Sequence, residues 1–146
     1  MEISLANLDQ LEEVSELFDQ YRVFYNQPTD LEAAIKFLQE RLQQHDSTIF
    51  IARDNSIAIG FTQLYPSFSS VSMKRIWILN DLFVDENSRH KGVAKLLMNT
   101  AEEFARSTGA VRIALSTQIS NSIAQDLYKS RGYQKDEIFH HYSLSL

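Results

Sequence analysis

Apolar residues recur at steps of three and four in the first third of the chain, and this period predicts helices. The stripe of the first helix, over about residues 8–25, consists of Leu11, Val14, Phe18, Tyr21 and Tyr25. Asn7 can cap this helix, and Gln10 completes a capping box. A second helix, which Thr29 or Asp30 can cap, would bury Ala34, Phe37, Leu38 and Leu42. Residues 2–5 are predicted to form a short strand before both helices.

Strand patterns dominate the middle of the chain. Residues 48–52 and 57–65 flank Asp54-Asn55, which favours a hairpin, and Gly60 indicates a bulge or a close backbone approach. Residues 74–85 are apolar on both sides, which is typical of a central strand covered on both faces. Simple alternation assigns Ile76, Ile78, Leu82 and Val84 to one face and Trp77, Leu79 and Phe83 to the other.

The last third of the chain alternates helix and strand patterns. A helix is predicted over residues 93–108 and ends at Gly109. Residues 111–116 are predicted to form a strand, and the helical crossover would make it parallel to the strand over residues 74–85. A helix over residues 121–131 ends at Gly132, and residues 138–146 are predicted to close the chain as a strand. We expect one α/β domain over residues 1–146, with a mixed sheet and helices on both faces.

Composition narrows the class of protein. The chain has 146 residues, 44% hydrophobic and 23% charged, which is ordinary for a globular domain. The absence of cysteine excludes disulfides, thiolate zinc sites and cysteine nucleophiles. No basic segment precedes an apolar run at the N-terminus and no apolar stretch reaches membrane-spanning length, so we expect a cytoplasmic protein without a membrane partner. The net charge of −5 argues against nucleic-acid binding.

Charge is unevenly distributed along the chain. Residues 1–40 contain nine acidic residues against the bases Arg22 and Lys36. Residues 89–95 contain Arg89, Lys91 and Lys95 with His90 and no acid. Solvated helix faces would explain both segments. The alternative is a pair of subsites, one for an anion and one for a cation.

A basic turn with a glycine, residues 89–94, stands where the long apolar strand gives way to the helix beginning near Val93. The first N–H groups of a helix lack intrahelical partners and carry partial positive charge, so such a turn can hold a phosphate group. Neither the P-loop pattern nor the dinucleotide G-x-G-x-x-G pattern is present. The turn therefore predicts a phosphorylated ligand of another kind.

Three motifs identify a family resemblance. Residues 89–94 have the form R-x-x-G-x-A and residues 121–133 the form N-x-x-A-x-x-L-Y-x-x-x-G-Y, and the strand segment L-N-D-L-F-V, residues 79–84, precedes both. In these features the chain resembles the GNAT superfamily of N-acetyltransferases, over about residues 46–142 by motif and residues 1–45 by element order. It is also similar to a subgroup that includes histone and polyamine acetyltransferases.

The resemblance implies a mostly antiparallel sheet that is splayed at the site of acetyl-CoA. The pantetheine arm would lie along Leu82, Phe83 and Val84, and a bulge near Asn80-Asp81 would open the gap. The pyrophosphate would be bound by the loop residues Arg89, His90, Lys91, Gly92, Val93 and Ala94.

The resemblance also assigns catalytic roles. The N–H of Leu82 would stabilise the oxyanion, and Tyr128 would protonate the departing thiolate. Asn121 would cap its helix, face the cofactor, or do both. Asp81 is the candidate general base, and the alternative is a structural acid paired with Arg75, Arg112 or a backbone amide.

The acceptor side would be the acidic first third, where Tyr21, Phe24 and Tyr25 precede residues 27–30. Aromatic and carboxylate groups suit a small cationic amine or polyamine. The alternatives are a peptide acceptor, at a lysine or an N-terminus, and a non-catalytic module that binds acetyl-CoA. His140 and His141 point to opposite faces of the predicted last strand, so no metal site is expected. That strand, if it pairs across a two-fold axis, would make a homodimer.

Overall fold

The computed structural model describes residues 1–146, which divide into two compact units, Met1–Leu115 and Ser116–Leu146. The first unit is a five-stranded sheet in the order β1-β2-β3-β4-β5 with three helices. The strands are β1 (Glu2–Leu5), β2 (Thr48–Asp54), β3 (Ile57–Ser69), β4 (Lys74–Val84) and β5 (Ile113–Ala114). The helices are α1 (Leu11–Phe24), α2 (Leu31–Gln44) and α3 (Val93–Ser107). The second unit contains α4 (Ser122–Ser130).

The predicted caps of the first two helices are confirmed. Asn7 and Gln10 form a reciprocal capping box around a 3-10 turn, Leu8–Gln10, from which α1 continues. Asp30, rather than Thr29, caps α2 by accepting the N–H of Ala33 at 3.1 Å. Of the predicted apolar positions, Val14, Ala34 and Leu38 are at most 2% exposed and Phe18 is 8% exposed, whereas Phe37, which was predicted to be buried, is 36% exposed. The helical period in the sequence therefore located the face that covers the sheet.

The sheet is mostly antiparallel, as expected, and only the β4–β5 pair is parallel. The β2–β3 hairpin turns at Asn55 and Ser56, one residue later than predicted, and both have positive φ (50° and 67°). Its turn therefore resembles the type that matches the twist of paired strands. At Gly60 the predicted close approach is confirmed, because an added Cβ would lie 2.8 Å from the Phe83 carbonyl oxygen.

A bulge interrupts β4 at Asn80, where the family resemblance implied one. Gln63 pairs with Asp81 and Leu64 pairs with Leu79, so Asn80 is the extra residue. The predicted division of β4 into two faces is therefore wrong beyond this point. Trp77 contacts Phe104 of α3, with ring centroids 5.0 Å apart, whereas Phe83 belongs to the core beneath α1. One inserted residue reverses the side on which every later side chain lies.

Strand β5 is shorter than the predicted strand over residues 111–116. It pairs with β4 only at Trp77↔Ile113 and Ile78↔Ala114. The N–H of Val111 also donates to the Arg75 carbonyl at 2.9 Å, just before the ladder begins. Beyond Ile78 the two strands no longer pair, and the sheet has an open edge along the second half of β4.

The predicted strand over residues 138–146 is not formed. These residues have no regular secondary structure, and Ile138, Tyr142, Leu144 and Leu146 are each at least 83% exposed. One physical reason is local: Asp136 Oδ1 accepts the N–H groups of Ile138 and Phe139, at 2.9 and 3.0 Å, which a strand ladder would need. The homodimer therefore stays a prediction without the strand on which it depended.

Candidate active site

The open edge of β4 presents backbone groups of Leu82 and Val84. Asp85 donates its N–H to the Ile59 carbonyl on β3 at 2.8 Å. N–H and C=O groups alternate sides along a strand, so those of Leu82 and Val84 point away from β3, toward the open edge. An extended ligand with amide groups can bind there as an added strand would.

The turn before α3 exposes backbone donors. Gly92 has φ 80°, a conformation that favours glycine, and as the N-cap it offers no side-chain hydrogen bond. The first intrahelical bond joins the Leu96 N–H to the Gly92 carbonyl at 3.1 Å, so the N–H groups of Val93, Ala94 and Lys95 precede it. No acid lies in the first turn. His90, Lys91 and Gly92 are exposed, so this turn is suited to bind an anion.

The Arg89 side chain is held by contacts within the protein and does not extend freely into solvent. Its Nε donates to the Val84 carbonyl at 3.0 Å, and its guanidinium lies over the rings of Phe24 and Phe83 at 5.4 and 5.6 Å. The side chain thus joins the basic turn to the open edge of β4. The guanidinium has further N–H groups, and these can donate hydrogen bonds to an anion bound at the turn.

Asp81 is the buried acid of the site, with 3% of its surface exposed. Its Oδ2 accepts from Gln63 Nε2 at 2.6 Å, its Oδ1 accepts from Asn80 Nδ2 at 3.1 Å, and Tyr21 also hydrogen-bonds the carboxyl. The alternative pairing of Asp81 with Arg75 is not formed, since that guanidinium lies over the rings of Phe68 and Trp77. All three partners of Asp81 are neutral side chains.

The surroundings of Asp81 make its carboxyl a better proton acceptor than an ordinary aspartate. Burial raises the pKa of Asp81, and the hydrogen bonds from Gln63, Tyr21 and Asn80 offset only part of that effect. Burial, and then the charge of Asp81, raises the pKa of Tyr65 to about 12. Tyr65 therefore stays protonated wherever Asp81 titrates.

Several acids of the first third have structural partners. Asp19 Oδ2 accepts from Thr29 Oγ1 at 2.5 Å and its Oδ1 accepts the Asp30 N–H at 2.8 Å. These hydrogen bonds, first that of Thr29, lower the pKa of Asp19. Glu13 forms an ion pair with Arg53. The acidic segment is thus partly explained by capping and pairing.

The second unit contains the remaining predicted residues. Asn121 caps α4 by accepting the Ala124 N–H at 3.0 Å, which confirms the first of its two predicted roles. Tyr128 is half-buried on α4, and its ring lies 6.1 Å from that of Tyr133. His141 Nε2 lies 3.3 Å from Asp136 Oδ2. No group of three or more histidine and acidic side chains is placed to hold a metal ion, and no helix is long and apolar enough to cross a membrane.

Sequence reasoning missed Gln63 and Tyr65, and it placed Tyr21 on the apolar stripe of the first helix and among the aromatic residues of the acceptor side, without a contact to Asp81. A signal for Gln63 was present: it is a polar residue within an apolar strand, and the hairpin register places it opposite Asp81. The contact of Arg89 with Val84 had no signal, because it depends on how the turn folds back.

An open strand edge followed by a glycine-capped helix is suited to bind an extended ligand that carries a phosphate group. The sequence model of the Acetyltransferase (GNAT) family matches residues 11–133. The chain therefore belongs to this acetyltransferase family, whose members use acetyl-CoA.

Known relatives match over the whole chain. A Bacillus subtilis (strain 168) protein named as an uncharacterized N-acetyltransferase, YhfO, is 47% identical over 100% of this chain and 98% of its own. A probable acetyltransferase of Haemophilus influenzae is 32% identical over 95% and 96% of the two chains. A crystal structure of a probable acetyltransferase superposes with a TM-score of 0.95, at 42% identity, over 100% of this chain and 98% of the other.

A more distant structure contains a ligand. The aminoglycoside acetyltransferase AAC(6')-Iy, in complex with a bisubstrate analogue described as CoA-S-monomethyl-acetylneamine, has a TM-score of 0.81 at 25% identity. The match covers 99% of this chain and 98% of that one. A related enzyme thus binds CoA joined to a small amine.

Proposed function

We propose that the chain transfers the acetyl group of acetyl-CoA to a primary amine of a small cationic acceptor by direct attack. The observation that carries this proposal is the loss of β4–β5 pairing after Ile78, immediately before the glycine-capped start of α3. The edge at Leu82 and Val84 would bind the pantetheine amides. The backbone of residues 89–94 would bind the pyrophosphate, with charge from Arg89 and Lys91.

Three residues would act on the reacting atoms. The Leu82 N–H points into the open edge and would stabilise the developing oxyanion of the thioester carbonyl. Asp81 would take the proton of the attacking amine, and since only 3% of its surface is exposed, a water molecule would relay that proton. Tyr128 would donate a proton to the thiolate that leaves, with Asn121 near the cofactor in addition to its capping role.

A cationic small acceptor is favoured by two observations. Asp81 is a carboxylate with only neutral partners, so its charge is not cancelled by a neighbouring base. The distant relative named above binds a CoA–aminoglycoside analogue, and aminoglycosides carry several amines. A lysine side chain or a peptide N-terminus is the second candidate, because it offers the same amine on a polypeptide. A homodimer in the cytoplasm stays part of this proposal.

The test is an acceptor panel with purified protein and acetyl-CoA, following release of the CoA thiol. The panel compares aminoglycosides and polyamines with neutral amines, amino acids and lysine peptides of similar size. We expect the highest kcat/KM for the multiply charged small amines, and a KM that rises with salt. Turnover of neutral or anionic amines alone would contradict the cationic acceptor, and turnover of peptides alone would establish the second candidate.

A further inference from the structure

Tyr21 connects helix α1 to the bulge of β4. Its hydroxyl has a single proton, which it shares between two acceptors, the Asn80 carbonyl at 3.3 Å and the Asp81 carboxyl. Its ring is enclosed by aromatic neighbours, with centroids 5.9 Å from Phe61 and 6.2 Å from Phe83. Because the ring is packed on several sides, the position of the hydroxyl is determined by the core rather than by solvent.

The other two partners of Asp81 belong to the sheet itself. Gln63 comes from β3 and Asn80 from the bulge, and both bind through side-chain amides. Gln63 is fully buried and its Oε1 has no hydrogen-bond partner, so its amide already leaves one polar atom unsatisfied. Tyr21 is therefore the one hydrogen-bond partner of the Asp81 carboxyl that comes from a helix, and its side chain reaches the sheet from α1.

We propose that Tyr21 is a positioning residue for acetyl transfer: its hydroxyl orients the Asp81 carboxylate at the bulge and stabilises its ionised form. This inference rests on the proposed function, in which Asp81 takes the proton of the acceptor amine. Tyr21 keeps its own proton throughout and only donates a hydrogen bond. The proton lost by the amine passes to Asp81, which becomes a neutral acid.

Few other charged groups face this carboxyl. From β3 comes Tyr65, whose pKa of about 12 keeps it neutral in the range of interest. Arg41 and Asp46 act on Tyr65 in opposite directions, so their influence there partly cancels. Gln63 and Asn80 do not titrate. An acid limb in the pH profile that responds to Tyr21 would therefore report on Asp81.

Two measurements on the full chain test the inference. One is the pH dependence of kcat/KM with an acceptor that turns over. The other is a carboxyl ¹³C NMR titration of the protein without substrates, in which Asp81→Asn identifies the Asp81 resonance. Both are made on the wild type, Tyr21→Phe and Tyr142→Phe, the last of which removes a hydroxyl from a ring that is 91% exposed.

Loss of a hydrogen bond to the charged form should raise both midpoints in Tyr21→Phe by about one pH unit. Tyr142→Phe should leave both midpoints in place. If Tyr21→Phe and the wild type have equal midpoints, and Asp81→Asn removes the acid limb, the proposed role of Tyr21 is wrong. The proposed role of Asp81 as the base would then stand. An acid limb that survives in Asp81→Asn would instead reject Asp81 as the base, and with it this inference.

Discussion

Trp77 and Phe83 lie on opposite faces of the sheet, although both occupy odd positions of the same strand. Trp77 contacts Phe104 of α3 and donates its Nε1–H to Thr108 at 2.9 Å, whereas Phe83 lies 6.2 Å from Tyr21 of α1. If Asn80 occupied a regular position of the ladder instead of a bulge, Asp81 would share the face of Trp77. The bulge therefore decides that the buried acid faces α1.

Asp81→Asn should make the protein more stable at neutral pH while it slows turnover. Burial raises the pKa of Asp81 above the ordinary value of 3.8, so the folded state holds this proton more tightly than the unfolded chain does. The associated stability is complete below the unfolded value and is lost as the pH rises through the raised folded value. Urea unfolding across pH should show a gain for Asp81→Asn that disappears in acid.

Asp19→Asn is the matched control, because hydrogen bonds lower the pKa of Asp19. Its carboxylate contributes stability above the unfolded value, and that contribution is lost as the pH falls through the lowered one. The variant should therefore be less stable at neutral pH, and the loss should shrink in acid. A stability gain from both variants at pH 7 would show that general surface charge, rather than burial, governs the result.

Lys95→Glu should have opposite effects on the stability of α3 and on anion binding at the N-terminus of this helix. A carboxylate in the first turn interacts favourably with the helix dipole, by about 0.3–1 kcal/mol, but repels a bound phosphate. We expect unfolding free energy to be unchanged or higher and CoA affinity, measured by calorimetry, to fall at least about tenfold. Lys95→Gln removes the positive charge alone and should show a smaller loss of affinity. Undiminished binding in Lys95→Glu would place the diphosphate elsewhere.

Gly60→Ala should destabilise the sheet by about 1–3 kcal/mol, because its methyl group would overlap a carbonyl that cannot rotate away. The contact is with the Phe83 oxygen at 2.8 Å, and the side chains of Val93 and Leu97 lie at 3.4 Å. CoA affinity should also fall, since displacing Phe83 moves the Leu82 and Val84 edge.

Gly109→Ala is the control for this substitution. Its methyl group meets nothing within 4 Å, and its cost arises only from the positive φ of 77°. We expect about 1 kcal/mol by urea unfolding and no change in CoA affinity. If both variants lower CoA affinity equally, the close approach of β3 to β4 does not shape the site.

If Tyr128 is the proposed general acid, Tyr128→Phe should keep CoA binding and lose most of kcat, because removing the hydroxyl would leave the thiolate without a proton donor. Tyr133→Phe, which alters the neighbouring ring on the same unit, should leave kcat close to that of wild type. Equal rates in Tyr128→Phe and wild type would remove Tyr128 from the mechanism.

The sequence predicted the helices and the caps because each depends on local or periodic signals, whereas the open edge was implied by the family resemblance. Asn7 and Asp30 are capping residues wherever a helix follows, and the polar pair Asn80-Asp81 stands out in an apolar strand. The faces beyond the bulge were mistaken because alternation was continued through an inserted residue. The Tyr21–Asp81 contact joins residues far apart in the chain, and no periodicity carries that information.

Because β4 and β5 pair at only two positions, the rest of the β4 edge has no neighbouring strand. A ligand that forms hydrogen bonds with the backbone of Leu82 and Val84 would stabilise the folded state as an additional paired strand would. Binding to the native state alone raises apparent stability with the logarithm of ligand concentration. The protein would then be most resistant to unfolding, and to proteolysis from that edge, in cells rich in its donor substrate.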